Sequence, residues 1–485
     1  MASQRLSPTV LIIFLRILAH VSLFPTIAEA FMPPRSSMTG RSQHQSASTI
    51  NSGDGTPETA IVLIDPVTDF KQVINAALDL NRVVITVQMP DVALPDKFQS
   101  FLPTTQALID AGVAHTLSMH HRDVFSITQQ LQILARERNL KIAGVIPLSE
   151  VAVEVSDLIA SCLELPHNPL DLMTARRDKG LMKQAVESAG LRVAKYARVG
   201  SVKDFRDAMM KLSLAYPIVV KTPSGMSTTD VYICSNEKEA TDALDSIVDK
   251  VGPDGRTVNM ALLEEYIGGI EFAINLIAFN DRSHLLVTDM WKYKKTHKAR
   301  YDNAEICNPA DYPQLISYAC SVAKAAGIKY GAAHVELKAR QDGDGKYIDP
   351  VMIEIGARLS GGRKSTMAQA AIDDWDPFTS LIESHCGQRC RSIPDSTNFL
   401  TPDRFVRHIF LPIENAGKIK EIQLETSAVA TMHSSAIIVK AGEVVKETTD
   451  IVSCAGFVWL VGEMKQVDTD TEKILSSFTL VLDKS

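Results

Sequence analysis

Two glutamates inside apolar, β-type segments constrain the fold of this chain more than any other feature. Glu336 lies in AAHVELKAR and Glu354 lies in YIDPVMIEIG, with the turn sequence QDGDG between the two segments. A carboxylate inside a strand is costly to bury unless it is paired or binds a cation. The pattern therefore predicts two adjacent strands whose acids face one site, where a hard divalent cation such as Mg²⁺ would bind.

The composition limits the classes of protein to which the chain can belong. Its 485 residues predict about two to four domains. The net charge of -7 argues against nucleic acid as a partner, and no mature segment is long and apolar enough for stable membrane insertion. Seven cysteines without a CxxC pair predict reduced thiols, not a disulfide framework or a zinc site.

The N-terminus has the pattern of a removable leader. Residues 1–30 contain the apolar run TVLIIFL and end in Ala28-Glu29-Ala30, which is the layout of a signal peptide. Residues 31–58 have the basic, Ser-rich composition of a transit peptide. The combination resembles the two-part plastid-targeting leader of diatoms and related algae. Secretion, with a disordered linker after the signal peptide, remains the alternative.

The rest of the chain predicts a multidomain α/β and α+β protein. Short β-branched runs alternate with helical patterns in residues 59–165, which predicts a doubly wound α/β domain. This region has no GxGxxG, so dinucleotide binding is not indicated. Residues 166–395 alternate strands and helices again, and residues 396–485 predict a mostly β domain. The predicted N-terminal elements are strands at Ala60–Ile64, Val83–Val87 and Ile142–Ile146 and helices at Phe70–Leu80 and Val124–Asn139. Further elements are a helix at Asp171–Gly190 and strands at Phe405–Phe410, Ser427–Thr431, Ala436–Lys440 and Phe457–Val461.

Two lysines are placed where they could reach phosphate groups. Lys179 follows Asp178 at a predicted helix start, and Lys221 ends the apolar run YPIVVK. The loop after Lys221 offers backbone and hydroxyl donors, and residues 224–230 are the expected lid over a phosphate ligand. A solvated surface lysine is the alternative interpretation, especially for Lys179.

The segment LLEEYIGGIEF predicts a hinge beside a nucleotide. Glu264 and Glu265 end one apolar strand, a Gly-Gly turn follows, and Glu271 opens the next strand. Such a hinge could line an adenosine pocket, with a carboxylate accepting hydrogen bonds from ribose hydroxyls. An ordinary hairpin with surface acids is the alternative.

Candidate substrate contacts lie in the aromatic and basic stretch of residues 288–305 and near the two central glutamates. A cation in that stretch could bind a substrate carboxylate, although a solvated basic loop fits the same residues. His334 is expected to orient a metal ligand or a substrate, or to be an ordinary core histidine. The candidate contacts are Trp291, Lys292, Lys294, His334 and Gly361.

Taken in order, RDKxxMK, YPIVVK with its loop, EEYIGGIE, HVELK and IEIGARLSGG resemble the ATP-grasp superfamily. The resemblance covers residues 60–470 and is greatest to the L-amino-acid ligases, which form dipeptides. It implies an ATP-grasp fold with a leading doubly wound domain and a trailing mostly β domain. It also implies that Glu336 and Glu354 bind Mg²⁺ or Mn²⁺ and that Arg358 stabilises the transferred phosphoryl group. The implied ATP contacts are Lys179, Lys221, Ser224, Gly225, Ser227, Glu264, Glu265, Tyr266, Ile267 and Glu271.

The resemblance implies ATP-dependent joining of a small-molecule carboxylate and an amine through an acylphosphate. Another ATP-grasp reaction, with a thiol or a phosphoryl acceptor, and a non-catalytic ATP-binding protein remain open alternatives. A homodimer is also an open expectation. Two features depart from the family pattern: Gly356 stands where many members have Asn, and the phosphate loop has only Gly225 before Asp230.

Overall fold

The computed structural model describes residues 56–92, 102–120, 123–225, 230–252, 255–280, 285–296, 300–391, 393–394, 396–451 and 453–483. The predicted signal peptide, nearly all of the transit-like segment and most of the expected lid lie outside these residues, and so does Ser227. Within the described part of the chain, no helix is long and apolar enough to cross a membrane.

The N-terminal unit is a four-stranded parallel sheet with the order β3-β2-β1-β4. Its alternating apolar runs and amphipathic helices produce this layer, and the predicted strands and helices are confirmed to within a few residues. The strands are β1 (Glu58–Ile64), β2 (Val83–Gln88), β3 (His115–Ser118) and β4 (Leu140–Pro147). The helices are α1 (Phe70–Asp79), α2 (Thr105–Asp110), α3 (Val124–Glu137) and α4 (Ala152–Cys162).

A small antiparallel sheet with the order β5-β8-β6-β7 follows. The strands are β5 (Tyr196–Val199), β6 (Ile218–Lys221), β7 (Val231–Cys234) and β8 (Ala261–Glu265). The helices of this region are α5 (Lys179–Ser188), α6 (Val202–Leu212) and α7 (Glu237–Ile247). Its core joins α6 and α7 to the sheet through Phe205, Ile218 and Leu244.

The single helix expected from Asp171 to Gly190 is wrong in its first half. Two 3-10 turns, Leu170–Leu172 and Thr174–Arg176, come before α5. Asp178 is extended, and its carboxylate accepts hydrogen bonds from the first-turn amides of α5, so a new helix begins at Lys179. The predicted helix start at Asp178-Lys179 is confirmed.

The central sheet has eight strands in the order β13-β12-β9-β10-β11-β14-β18-β16, and a three-stranded sheet has the order β17-β15-β19. The strands up to residue 356 are β9 (Ile270–Ala278), β10 (Leu286–Lys295), β11 (Tyr301–Cys307), β12 (Gly331–Gln341) and β13 (Tyr347–Gly356). The later strands are β14 (Phe405–Leu411), β15 (Gly417–Gln423), β16 (Met432–Ile437), β17 (Val444–Val445), β18 (Gly456–Gly462) and β19 (Thr479–Leu482). The helices are α8 (Pro313–Ala325), α9 (Lys364–Ala371), α10 (Pro377–His385) and α11 (Met464–Ser477), with a 3-10 turn at Pro309–Asp311.

The last ninety residues extend the central sheet, because β14 pairs with β11 across the expected domain boundary. The predicted strand at Ser427–Thr431 is wrong, since these residues form a turn, and the strand expected at Ala436–Lys440 ends at Ile437. This region also contains the fourteen-residue helix α11, which the strand-like pattern did not predict. Val467 and Ile474 of α11 pack on the core beneath β14 and β18.

The central sheet has two buried faces with different neighbours. The first face carries Ala273, Trp291 and Tyr293 and packs against the N-terminal unit, α9 and α10. The second face carries Phe272 and Met290 and packs against α5 and α8. The candidate functional side chains can therefore be assigned to one face or the other.

Candidate active site

Glu336 and Glu354 are directly opposite each other on the antiparallel strands β12 and β13. Directly paired residues point to the same face of a sheet, so the two carboxylates lie side by side, as the sequence predicts. Burial and the adjacent Glu354 carboxylate raise the pKa of Glu336 to about 7. Among the described residues, no group of three or more His, Cys, Asp or Glu side chains is arranged to hold a metal ion. A cation at this position would therefore have Glu336 and Glu354 as its acidic ligands from the described part of the chain.

Lys179 links this acidic pair to the phosphate loop. Its ammonium lies 2.9 Å from Glu354 Oε1 and 2.8 Å from the carbonyl oxygen of Gly225. The backbone N–H of Lys179 also donates to the carbonyl of Pro223. Asp178 brings this about by capping α5, which aims the first side chain of the helix at the end of β6. Lys179 is buried, so the solvated surface lysine is excluded for this position.

At the end of β8, the Glu264 carboxylate contacts two buried lysines. Its Oε1 atom lies 2.9 Å from the Lys221 ammonium and 3.3 Å from that of Lys183, and all three side chains are almost fully buried. Burial lowers the pKa of Lys183 to about 8. Burial opposes ionisation of Glu264, but the two ammonium groups hold the pKa of its carboxyl below the usual range.

The segment between β8 and β9 joins two different sheets, so the alternative of an ordinary hairpin is wrong. Gly269 has a φ of 101°, and a Cβ there would lie 2.3 Å from the carbonyl oxygen of Ala339, so glycine is required. Lys338 donates to the carbonyl of Ile267 at 3.1 Å, and its ammonium lies 5.1 Å from the centroid of the Tyr266 ring. Glu265 accepts a hydrogen bond from the Lys195 amide.

Glu271, at the start of β9, is buried and has partners on both oxygens. The Lys295 ammonium lies 2.9 Å from Oε2, and the Tyr301 hydroxyl donates to Oε1 at 2.7 Å. Both partners belong to the aromatic and basic stretch that the sequence singled out. The stretch therefore contacts the site, but through Lys295 and Tyr301.

Lys292 and Lys294 are on the wrong face to contact this site, which corrects their assignment as candidate substrate contacts. The Lys292 ammonium lies 5.3 Å from the centroid of the Tyr347 ring, and Lys294 is exposed and lies 4.0 Å from Asp302. Side chains alternate along a strand, so the neighbours Trp291 and Tyr293 face the opposite way. Trp291 is fully buried and donates its indole N–H to Asp289, which makes it a core residue on the site side of the sheet.

Arg358 is held by a buried acid from the N-terminal unit. Its Nε donates to Glu150 at 2.6 Å, and the other Glu150 oxygen lies 3.0 Å from Arg177 Nη1. Burial works against ionisation of Glu150, but Arg358 and Arg177 hold its pKa far below the usual range. The parallel sheet thus contributes a residue to the site through the loop after β4.

His334 packs directly over Gly356, its partner across β12 and β13. Burial and the nearby Arg358 guanidinium lower the pKa of His334 to about 3, so the ring is neutral. Its Nδ1 has no hydrogen-bond partner among the described residues. The ring fills the space beside the backbone in which an asparagine would project at position 356.

Replacing Gly356 with Ala is expected to destabilise the fold by about 1–3 kcal/mol, because its methyl group would lie 2.4 Å from His334 Cε1. Chemical unfolding measures the cost. The matched control is Gly343→Ala, since a Cβ at Gly343 has no atom within 4 Å. In a His334→Ala background the cost of Gly356→Ala should largely disappear; an equal cost in both backgrounds would refute the steric explanation.

Sequence reasoning missed several charged residues of this site. Lys183 lies four residues after Lys179, so both fall on one face of a helix, and this spacing in RDKxxMK was available as a signal. Glu150 had no signal, since it follows an ordinary apolar strand. Lys364, the first residue of α9, is also buried beside the site, and burial lowers its pKa. Gly361 has open space where a side chain would project.

Residues 214–367 match the family model of the ATP-grasp domain. This part of the chain is identified as an ATP-grasp domain. Dapdiamide A synthase of Enterobacter agglomerans is 28% identical over 415 residues, which cover 82% of this chain and 90% of the relative.

Solved structures share the ATP-grasp fold at low sequence identity. An L-amino acid ligase from Bacillus licheniformis superimposes with a TM-score of 0.68 and 16% identity, covering 88% of this chain and all of that structure. Phosphoribosylglycinamide synthetase from Anaerococcus prevotii gives a TM-score of 0.60 with 15% identity and the same coverage. The ATP-grasp fold expected from the ordered motifs is therefore confirmed.

Proposed function

We propose that this ATP-grasp protein is an ATP- and Mg²⁺-dependent ligase that joins an amino-acid carboxylate to an amine through an acylphosphate. The observation that carries the proposal is the contact between Lys179 and Glu354, which joins a facing pair of carboxylates to a buried cluster of lysines. A relative named dapdiamide A synthase and a structural neighbour named L-amino acid ligase support amide formation as the reaction.

The facing acids fit a divalent cation. Glu336 and Glu354 present carboxylate oxygens side by side. Burial, and then repulsion by Glu354, raise the pKa of Glu336, and a bound cation would offset both effects. Mg²⁺ takes oxygen ligands and needs few from the protein when phosphates and water complete its shell. When bound, it would neutralise charge on the phosphate oxygens.

The buried lysines fit a triphosphate. Lys179, Lys183 and Lys221 concentrate positive charge where α5, the end of β6 and the first residues of the phosphate loop meet. We assign them to the phosphates. The hinge from Glu265 to Ile267 is assigned to adenine and Glu271 to the ribose hydroxyls.

In the proposed reaction a carboxylate oxygen of one substrate attacks the γ-phosphorus of ATP, and ADP leaves. The amine then attacks the acyl carbon, and phosphate leaves with that oxygen. Arg358 is assigned to the transferred phosphoryl group: its Nε and Nη1 atoms donate to Glu150 and to the carbonyl of Leu359, which leaves Nη2 to donate to a phosphoryl oxygen. Glu150 fixes the Nε side of that guanidinium. Positioning and charge neutralisation supply most of the rate enhancement in such transfers.

The proposal is tested by supplying full-length protein with MgATP and pairs of L-amino acids, then measuring ADP and identifying products by mass spectrometry. Formation of ADP and a dipeptide in equal amounts, dependent on both substrates, is the expected result. ADP formation that needs a carboxylate but ignores amines would indicate a thiol or phosphoryl acceptor instead. Tight ATP binding without turnover of any pair would indicate a non-catalytic protein.

Mg²⁺ binding is expected to weaken as the pH falls through about 7, because Glu336 takes up a proton there. Without metal, the neutral Glu336 carboxyl adds most to the free energy of unfolding below pH 4.5, the pKa of this group in the unfolded chain. The contribution is lost as the pH rises through about 7, its pKa in the folded protein. The increase in unfolding temperature caused by Mg²⁺ should therefore be larger above pH 7 than below it. Glu336→Gln should remove this pH dependence; an unchanged dependence would exclude Glu336 from the metal site.

We also propose delivery to a plastid, on the strength of the two-part pattern in residues 1–58. Fluorescent fusions in a diatom test it. Residues 1–58 should direct the reporter to the plastid, and residues 1–30 alone should stop at the secretory pathway. Secretion of the reporter fused to residues 1–58 would favour the alternative.

A further inference from the structure

His408, on β14, is a buried polar side chain whose two ring nitrogens are unused. The residue is only 2% exposed, and neither Nδ1 nor Nε2 has a hydrogen-bond partner among the described residues. Buried polar atoms in folded proteins nearly always have such partners, so an exception needs an explanation. Burial and the nearby Lys364 ammonium hold the pKa of His408 well below its usual range. The ring is therefore neutral, with one N–H donor and one acceptor nitrogen.

Three aromatic side chains fix the orientation of the His408 ring. Trp459, its direct partner on β18, stacks on the ring with centroids 4.7 Å apart and an angle of 20° between the planes. The rings of Phe410 and Phe457 lie 4.4 Å and 5.4 Å away. The Trp459 indole N–H donates to the carbonyl of Gly362 at 3.2 Å, which ties the stack to the turn before α9. The imidazole is thus held rigidly by groups that do not satisfy its nitrogens.

One edge of this ring faces the turn formed by Gly361 and Gly362. A Cβ at Gly362 would lie 3.4 Å from His408 Cε1, 3.8 Å from its Nδ1 and 3.5 Å from Lys364 Nζ. Both glycines are exposed, and a Cβ at Gly361 would have no atom within 4 Å. The Glu336 carboxylate attracts the same Lys364 ammonium. The ring therefore borders open space close to the proposed metal site.

From this arrangement we infer that His408 determines substrate specificity by hydrogen-bonding a neutral polar side chain, a hydroxyl or a carboxamide, of an amino-acid substrate. The inference rests on the proposed function, which requires two small substrates beside the paired glutamates. A hydroxyl or a carboxamide can donate and accept, as a neutral imidazole does. The Lys364 ammonium disfavours a cationic side chain. An anionic side chain gains little, because carboxylates, Glu336 and Asp289 among them, already attract that ammonium.

His408→Phe tests the inference, because it keeps a flat aromatic ring and removes both nitrogens. Full-length protein with MgATP is assayed with isosteric amino acids, threonine against valine and asparagine against leucine, as donor and as acceptor. At one of the two positions the wild type should prefer a polar member by about tenfold to a hundredfold in kcat/KM. The variant should lose this preference and use the apolar members as before. An unchanged preference in the variant, or none in the wild type, would overturn the inference.

The stability of the variant separates a ligand-binding role from a structural one. His408 has no hydrogen bond to lose among the described residues, and phenylalanine buries no polar atom. The unfolding temperature without ligand should therefore be unchanged or higher. His408→Gln, which keeps a donor and an acceptor, should retain part of the preference that His408→Phe loses. The matched control is His433→Phe, at an exposed position on β16, which should leave the preference intact.

A binding experiment separates failure of this inference from failure of the proposed function. Equilibrium dialysis in the presence of MgADP compares the same isosteric pairs of labelled amino acids. Tighter binding of a polar member by the wild type, lost in His408→Phe, supports the subsite even if no amide is ever formed. Equal binding within both pairs by the wild type would overturn the inference, even if the ligase assay succeeds.

Discussion

Replacing Glu354 with Gln is expected to lower kcat on the order of a hundredfold to a thousandfold while leaving the protein folded. The substitution removes one of two facing carboxylates and, with it, the ion pair to Lys179 at 2.9 Å. The metal would lose a ligand, and a phosphate-directed lysine would lose the group that positions it. Steady-state ADP formation measures the change, and the Mg²⁺ concentration giving half the maximal rate should rise. Glu421→Gln, at an exposed position on β15, is the matched control.

The same variant has a second consequence that a merely structural role would not produce. The Glu354 carboxylate is, after burial, the largest cause of the raised pKa of Glu336. In Glu354→Gln the pKa of Glu336 should fall towards its usual value, which carboxyl NMR resonances can follow. A lowered kcat with an unchanged pKa would contradict the facing arrangement, and full activity would remove Glu354 from the metal site.

Replacing Glu264 with Gln is expected to destabilise the protein by about 3–5 kcal/mol, because it leaves two buried lysines without a counter-ion. Lys183 and Lys221 are at most 3% exposed, so water cannot take the place of the carboxylate. The midpoint of urea unfolding measures the loss. Glu237→Gln removes an exposed ion pair with Arg206 in the same region and should cost less than about 1 kcal/mol.

The pH dependence of the Glu264→Gln defect has a defined sign. Burial lowers the pKa of Lys183 to about 8, against 10.5 for the free side chain. Below pH 8 the buried Lys183 is charged in the folded state, which lowers the free energy of unfolding. This destabilisation decreases as the pH rises from about 8 to 10.5. Without Glu264 the pKa falls further, so the defect should be smaller at high pH. A defect that grows with pH would show that the lysines are not the cause.

The parts of this fold that follow from local patterns could be predicted from the sequence. Glu336 and Glu354 lie in apolar runs separated by a turn sequence, so adjacent strands with facing acids follow from strand geometry alone. The Asp178 cap was also readable, since Asp is a preferred cap residue. The hinge after Glu265 could be identified as well. The sequence did not show that this hinge joins two sheets, because the order of strands in a sheet depends on segments far apart in the chain.

Partners far apart in the chain could not be predicted. Glu150 lies 208 residues from Arg358, and nothing around it distinguishes it from a surface acid. The misassignment of Lys292 was avoidable: with Trp291 and Tyr293 both apolar, alternation already places Lys292 on the other face of β10. In α11, Asp470 and Thr471 complete the buried stripe of Val467 and Ile474, so the apolar pattern was too sparse to predict a helix.

In the proposed mechanism ATP activates a substrate carboxylate at the paired glutamates, and the fate of the carboxylate oxygen reveals whether this step occurs. A donor amino acid labelled with ¹⁸O in its carboxyl group is incubated with MgATP and the acceptor amine, and the released phosphate is analysed by mass spectrometry. The mechanism predicts that each phosphate released carries one oxygen from the donor carboxylate. Amide formation with unlabelled phosphate, or with the label in AMP, would contradict it.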